Sequence, residues 1–252
     1  MEDIELKDVY KIYGTEKGII ALKNINFFLE KGEFIAVMGP SGSGKSTLLK
    51  VISSIITPSA GEVIIKGYNV NNLDDDGRRE FRRKNFSFVF QDVKLIKDLT
   101  IKDNILYPLL LEKKKEQEDI EYRVNHSLSL LEIETLALKR VGQLSGGQSQ
   151  KGEIARAIAQ DKGIMFLDEP TSKLDFNSTK KVMKILRSIN KKEGKTIFLV
   201  THDPFVASYA NRVLFIKDGE IYSEIHSGEE RKAFYRDILE FNTFLGGKKY
   251  GS

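Results

Sequence analysis

Five short runs are apolar at successive positions: residues 34–38, 86–90, 164–167, 196–200 and 213–216. A helical pattern over residues 182–189 separates the third run from the fourth. A strand with one solvated face alternates apolar and polar residues. Runs without alternation read as strands buried on both faces of a mainly parallel sheet. The first 30 residues and residues 61–70 look instead like antiparallel strands, with Gly67 in a turn. Residues 92–143 change character: leucines and charges recur at helical spacing around KKKEQED (residues 113–119), and no strand run is evident. This predicts a helical insertion containing a solvated charged segment. RREFRRK (residues 78–84) reads as a solvated helix face. Near the end, Phe234, Ile238, Phe241 and Leu245 fall at i, i+4, i+7 and i+11, one face of a helix expected to pack on the chain's own core.

Bulk properties narrow the classes. Of 252 residues, 40% are hydrophobic and 30% charged, ordinary for a globular protein. The net charge is +4 from 40 basic and 36 acidic residues, too balanced to argue for nucleic acid. There is no cysteine, so disulfides and thiolate chemistry are excluded. No apolar run approaches the roughly 20 residues of a membrane span. The start, MEDIELKDVY, is unlike a signal peptide. A cytosolic chain is expected, linked to any membrane through a partner.

The chemistry concentrates in three motifs. GPSGSGKST, residues 39–47, follows an apolar strand and precedes a helical run over residues 48–56, the context of a P-loop. Its glycines let backbone N–H groups turn onto phosphate oxygens, and the helix start adds about half a positive charge. Lys45 reaches the β- and γ-phosphates, and the Ser46 hydroxyl ligates Mg²⁺. IMFLDEP, residues 164–170, buries a strand and leaves Asp168 at its C-terminal end to hold Mg²⁺ through water. Glu169 is then placed to polarise an attacking water. LSGGQ, residues 144–148, is a second glycine-rich helix start, and it has no lysine.

In order along the chain, GPSGSGKST, Gln91, LSGGQ, IMFLDEP, the Leu-Asp of SKLD and His202 resemble an ATP-binding-cassette ATPase. The resemblance covers nearly the whole chain. It implies an α/β fold: a P-loop NTPase core with a mainly parallel sheet, an N-terminal antiparallel β subdomain and an inserted α-helical subdomain. The ATPase domain would span residues 1–222, with the helical part at about 92–145 and a C-terminal extension at 223–252. In that family two cassettes pair head to tail, and each ATP lies between one subunit's P-loop and the other's signature loop. That explains the missing lysine, because the partner's P-loop brings one. The resemblance implies that Gly39, Pro40, Ser41, Gly42, Ser43, Gly44, Lys45, Ser46 and Thr47 hold the nucleotide's own phosphates. Ser145, Gly146, Gly147 and Gln148 then face the partner's nucleotide. Tyr13 matches the aromatic that stacks on adenine, with Tyr10 as the nearby competitor. Gln91 matches a glutamine that touches Mg²⁺ and water. His202 matches a histidine that contacts the γ-phosphate, and Asp175 an aspartate that crosses the dimer interface. Glu169, His202, Lys45 and Gln91 form the catalytic set, and Ser46, Gln91 and Asp168 the metal set. His126 and His226 lack such a context and read as surface residues.

Two positions depart from the pattern. Lys173 stands where the family usually has alanine, near the expected dimer seam. Gly152 lies inside the signature helix, at a cost of about 1 kcal/mol relative to alanine. Within the family, VTHDPFVASYANRVLFIKDGEI looks like the lipoprotein-release and macrolide-exporter branch. The tail SGEERKAFYRDILEFNTFLGG resembles ATPases of bacitracin-type antimicrobial-peptide resistance. That implies ATP and Mg²⁺ as cofactors, an ATP-bound homodimer, a membrane permease, an associated sensor histidine kinase and no nucleic acid. It also implies a place on the cytoplasmic face of a bacterial membrane. The alternatives are a lipoprotein-release or macrolide-exporter ATPase, or an ATP-gated clamp controlling an extracellular enzyme through a permease-like partner. A GTPase would want an Asn-Lys-x-Asp base reader, and NKKE at residues 190–193 ends in Glu. A chromosome-organising ATPase would need a long coiled coil, and a translation-factor type a second P-loop.

Overall fold

A computed structural model describes residues 2–14, 18–112 and 116–245. In chain order these form β1 (Glu2–Tyr13), β2 (Ile19–Glu30), β3 (Phe34–Met38), α1 (Lys45–Ile52), β4 (Ala60–Ile65), β5 (Tyr68–Asn69), α2 (Asp75–Asn85) and β6 (Phe86–Val89). They continue as α3 (Ile101–Leu110), α4 (Gln117–Leu130), α5 (Gly146–Ala159), β7 (Ile164–Asp168), α6 (Phe176–Glu193), β8 (Thr196–Val200), α7 (Pro204–Ala207), β9 (Arg212–Lys217), β10 (Glu220–His226) and α8 (Arg231–Leu245).

The central sheet runs β10-β9-β3-β8-β7-β6. All neighbours from β9 to β6 are parallel, and β10 closes one edge antiparallel to β9. The five apolar runs are its parallel strands. Every residue of β3 and β8 is buried, and successive side chains serve different cores. Ile35, Val37, Phe198 and Val200 face α1 and the second sheet. Ala36, Met38, Ile197 and Leu199 face the helical layer. The second sheet is antiparallel, β2-β1-β4-β5, with Gly67 at φ 80° turning β4 into β5.

The helical insertion contributes Ile101, Ile105, Leu109, Ile120, Val124 and Leu128 to the core on that side. Its expected end near residue 145 does not hold as a packing boundary, because α5 lies against both α3 and α4. Gly152 explains itself here. A Cβ on it would stand 3.3 Å from Leu95 Cδ1 and 3.6 Å from Ile101 Cδ1, so its propensity cost is offset by a close helix approach. Of the expected charged segment, residues 113–115 lie outside the described residues.

Two further boundaries move. The helix expected over residues 48–56 ends at Ile52. Ser54 takes φ 53°, and its carbonyl accepts from Arg82 Nη1 at 2.6 Å. The 222/223 boundary falls inside β10, where Ile225 pairs with Val213, so the extension begins only after His226. Residues 78–84 lie in α2, which buries no side chain, and Arg78, Arg79, Arg83 and Lys84 pair with Asp75, Asp76 and Glu80.

The extension packs inward as expected. Phe234, Ile238 and Leu245 are buried, and the half-buried Phe241 ring lies 4.4 Å from that of Phe215. Arg231 seats α8 on α7: its guanidinium sits 4.5 Å over the Tyr209 ring and donates to Ser208 Oγ at 2.9 Å. Residues 246–252, including the last glycines of the tail motif, lie outside the described residues.

Candidate active site

β3 delivers the chain to the loop at residues 39–44, and α1 leaves it. Gly39 has φ 151°, and a Cβ there would meet the Ile216 carbonyl at 2.0 Å; Gly44 has φ 106° and would meet Ala21 O at 2.5 Å. Only glycine fits these positions. Lys45 Nζ sits over the loop, donating to Gly39 O at 2.9 Å and Pro40 O at 2.7 Å. Burial lowers the Lys45 pKa, against the opposing pull of Glu169 and Asp168. The loop's cation and the end of β7 therefore share one site.

At that end, Asp168 Oδ1 and, in the loop, Ser43 Oγ are buried without a hydrogen-bond partner. Burial first, then the charge of Glu169, raises the Asp168 pKa, while Lys50 and Lys45 lower it. An orphaned, desolvated carboxylate oxygen beside a phosphate-binding loop fits a hard cation. Among the described residues no three His, Cys, Asp or Glu gather as a metal cluster. Ser46 is exposed at the first turn of α1, and Gln91 is exposed just beyond β6.

Glu169 takes φ 48°, the left-handed region that costs a non-glycine residue about 1–3 kcal/mol. Its neighbours hold it there. The Glu169 N–H donates to Val200 O at 2.9 Å, and its carbonyl accepts from Ser172 N at 3.2 Å. The bend turns its carboxylate to the end of β8, where Oε1 lies 2.8 Å from His202 Nδ1 and Oε2 accepts from Thr201 Oγ1 at 3.4 Å. Glu169 is 11% exposed at its side chain and His202 74%, so the imidazole faces outward from a shielded carboxylate.

The signature residues lie on another concavity, of about 600 Å³. Its lining includes Ser145, Gly147, Gln148, Lys151, Lys173 and Asp175, and none of residues 39–47. Ser145 and Gln148 form a reciprocal cap of α5, Gln148 N to Ser145 Oγ at 3.2 Å and Ser145 N to Gln148 Oε1 at 3.0 Å. The two glycines also have an internal reason. A Cβ on Gly147 would stand 2.9 Å from Lys173 O, and one on Gly146 would meet the Lys173 stem at 3.4 Å. Asp175 caps α6 through Ser178 N at 3.0 Å, which lowers its pKa. Tyr13 is exposed at the end of β1, with the Lys11 ammonium 5.4 Å from its ring centre; Tyr10 is half-buried. His126 and His226 are exposed.

Sequence reasoning missed two buried polar residues of α5, Gln150 and Glu153, and the half-buried Arg156 beside them. Gln150 donates to Glu169 O at 3.1 Å and accepts from Lys173 N at 2.8 Å. Glu153 accepts from Lys94 N at 2.9 Å and pairs with Arg156, which donates to Lys94 O at 2.7 Å. The one available signal was Glu153 and Arg156 at i, i+3 within an otherwise apolar stretch of helix.

Comparisons with known proteins give the family. The family model described as ABC transporter matches residues 22–172. The ABC transporter ATP-binding protein YxdL of Bacillus subtilis is 46% identical over 97% of this chain and 95% of its own length. The bacitracin export ATP-binding protein BceA of Halalkalibacterium halodurans is 41% identical, over 98% of each chain. Among solved structures, a dimeric post-hydrolysis state of the ATP-binding cassette MJ0796 bound to ADP and Pi, from Methanocaldococcus jannaschii, superposes with a TM-score of 0.85. It is 41% identical, covering 89% of this chain and 99% of that one. The chain is a member of the ATP-binding-cassette transporter ATPase family.

Proposed function

We propose that this chain binds and hydrolyses ATP as a head-to-tail homodimer that drives a separate membrane permease in antimicrobial-peptide resistance and sensing. One observation carries the composite site: the signature concavity sets a helix start, two glycines, Lys151 and Lys173 beside the carboxylates of Glu132 and Asp175, yet contains no residue of the chain's own P-loop. A helix start with two glycines and two lysines suits a phosphate, and in this chain that phosphate has to come from outside. A second copy related by a two-fold axis supplies it and creates two equivalent sites.

In each site Lys45 and the N–H groups of residues 39–47 hold the phosphates. Asp168, Ser46 and Gln91 would hold Mg²⁺, which neutralises developing phosphate charge. Glu169 orients water for in-line attack on the γ-phosphate. His202, bonded to Glu169, turns its outer face to the same phosphate. Ser145 and Gly147 of the other copy close over it. Tyr13 takes adenine, and Asp175 lies at the seam.

Supporting the transport role, an apolar groove of about 300 Å³ opens beside Gln91, lined by Phe88, Phe90, Ile96, Tyr107, Pro108 and Leu111. Ile96, Tyr107 and Leu111 are exposed there, and we assign the groove to the permease, on the cytoplasmic face of a bacterial membrane. The peptide class is supported by the name of the bacitracin relative. Nothing observed supports a histidine-kinase partner.

Ser145→Arg tests the pairing. ATP affinity measured on dilute monomer should change less than about twofold, while hydrolysis at high protein concentration falls at least about a hundredfold. Equal loss of both would place the signature loop at its own chain's nucleotide. Loss of bacitracin-class resistance on deleting the chain, with co-purification of a membrane subunit, tests the substrate class.

A further inference from the structure

Gln150 is the one side chain of α5 that reaches the backbone of Glu169. It is fully buried, and both ends of its amide are used. Nε2 donates to Glu169 O at 3.1 Å, and Oε1 accepts from Lys173 N at 2.8 Å. Glu169 is the strained residue of the site, at φ 48°, and its own N–H is tied to Val200 O. Ser172 N donates to the same carbonyl at 3.2 Å from within the loop, and the Gln150 bond adds the tie from α5 that fixes this side of a left-handed backbone aiming the carboxylate. Gln150 follows Gly146 by four positions, one turn down the same helix. The helix end that meets a phosphate and the residue that braces Glu169 thus move as one body. Glu153 and Arg156 stiffen that body further by fastening it to Lys94.

We propose that Gln150 is a positioning residue that links engagement of the partner's γ-phosphate at Ser145 to the orientation of Glu169 in the same chain. This rests on the head-to-tail reading above. Each protomer's signature helix then reports one nucleotide site to the base of the other, so both sites must hold ATP before either base is set. The same amide holds Lys173, whose stem covers Gly146, so the seam residue shifts with the helix.

Gln150→Met removes both hydrogen bonds at nearly constant volume. Gln150→Glu retains an acceptor for Lys173 N but sets a carboxylate oxygen against the Glu169 carbonyl, and serves where the methionine variant folds poorly. The expected result is a fall in kcat of about tenfold, with KM for ATP and monomer affinity within about twofold. A double-mutant cycle with Ser145→Ala separates linkage from mere packing. If Ser145 and Gln150 act in one path, the double variant loses no more than the worse single variant, about tenfold rather than about a hundredfold. Light scattering with ATP and Mg²⁺ on Glu169→Gln, with and without Gln150→Met, should show a dimer in both cases. A kcat within about twofold of wild type, or losses that multiply in the cycle, overturns the role of Gln150 alone. A Glu169→Gln protein that stays monomeric overturns the head-to-tail reading and this inference with it.

Discussion

Glu153 lies in the middle of α5 with its carboxylate fully buried. Burial raises its pKa, while the N–H groups of Lys94 and Phe90 and the Arg156 guanidinium pull it down. Arg156 is itself largely buried, and burial lowers its pKa. Such a pair is weak evidence for stability as a whole, but breaking it leaves a buried charge uncompensated. Glu153→Ala should therefore cost about 3–5 kcal/mol, read as a lower urea midpoint at unchanged slope. A loss under about 1 kcal/mol would show that Arg156 finds water or another acceptor. The placing of Lys45, Asp168 and Glu169 at one end of the sheet was legible because the P-loop and strand-end motifs fix their positions, whereas His202 was reached only through the family resemblance. Gln150 and Glu153 were not legible, because their partners, Glu169 and Lys94, are distant in sequence and chosen by packing. The bend of Glu169 was equally hidden, since nothing in IMFLDEP marks a left-handed residue.

α8 is the clearest case of an element whose sequence pattern and packing agree. The four apolar positions of its stripe face inward, and the Arg231 cation seats it on α7, just after His202. Burying such a side chain contributes roughly 1.5–3 kcal/mol. Truncation after Ser227 spares β10 and removes the helix. It should lower the melting temperature by at least about 10 °C. Unchanged melting would mean that the stripe serves a partner instead. The parallel strands were legible because burial on both faces removes alternation. The end of α1 was not, because Ser54 turns to meet Arg82 of a different element. The start of the extension was misplaced for a similar reason: EIYSEIH alternates weakly in sequence, and its course as a strand depends on pairing with β9.

At the scale of the whole molecule the chain presents two glycine-rich helix starts, the P-loop and the signature concavity, whose linings share no residue. Both helix starts were readable in the sequence, as was the absence of a second lysine. Their separation on the surface was not, because it depends on how α5 sits over the sheet. In the proposed assembly two copies would bring each surface to its complement and leave the groove that follows β6 open for the permease. The central claim is that assembly, with Glu169 positioning the water it encloses. Glu169→Gln tests it most directly, because it slows hydrolysis by about 10²–10⁴-fold and leaves every phosphate contact in place. Size-exclusion chromatography with light scattering should give a monomer without nucleotide and a dimer with ATP and Mg²⁺. A variant that remains monomeric with ATP, or turns over at the wild-type rate, would contradict the account.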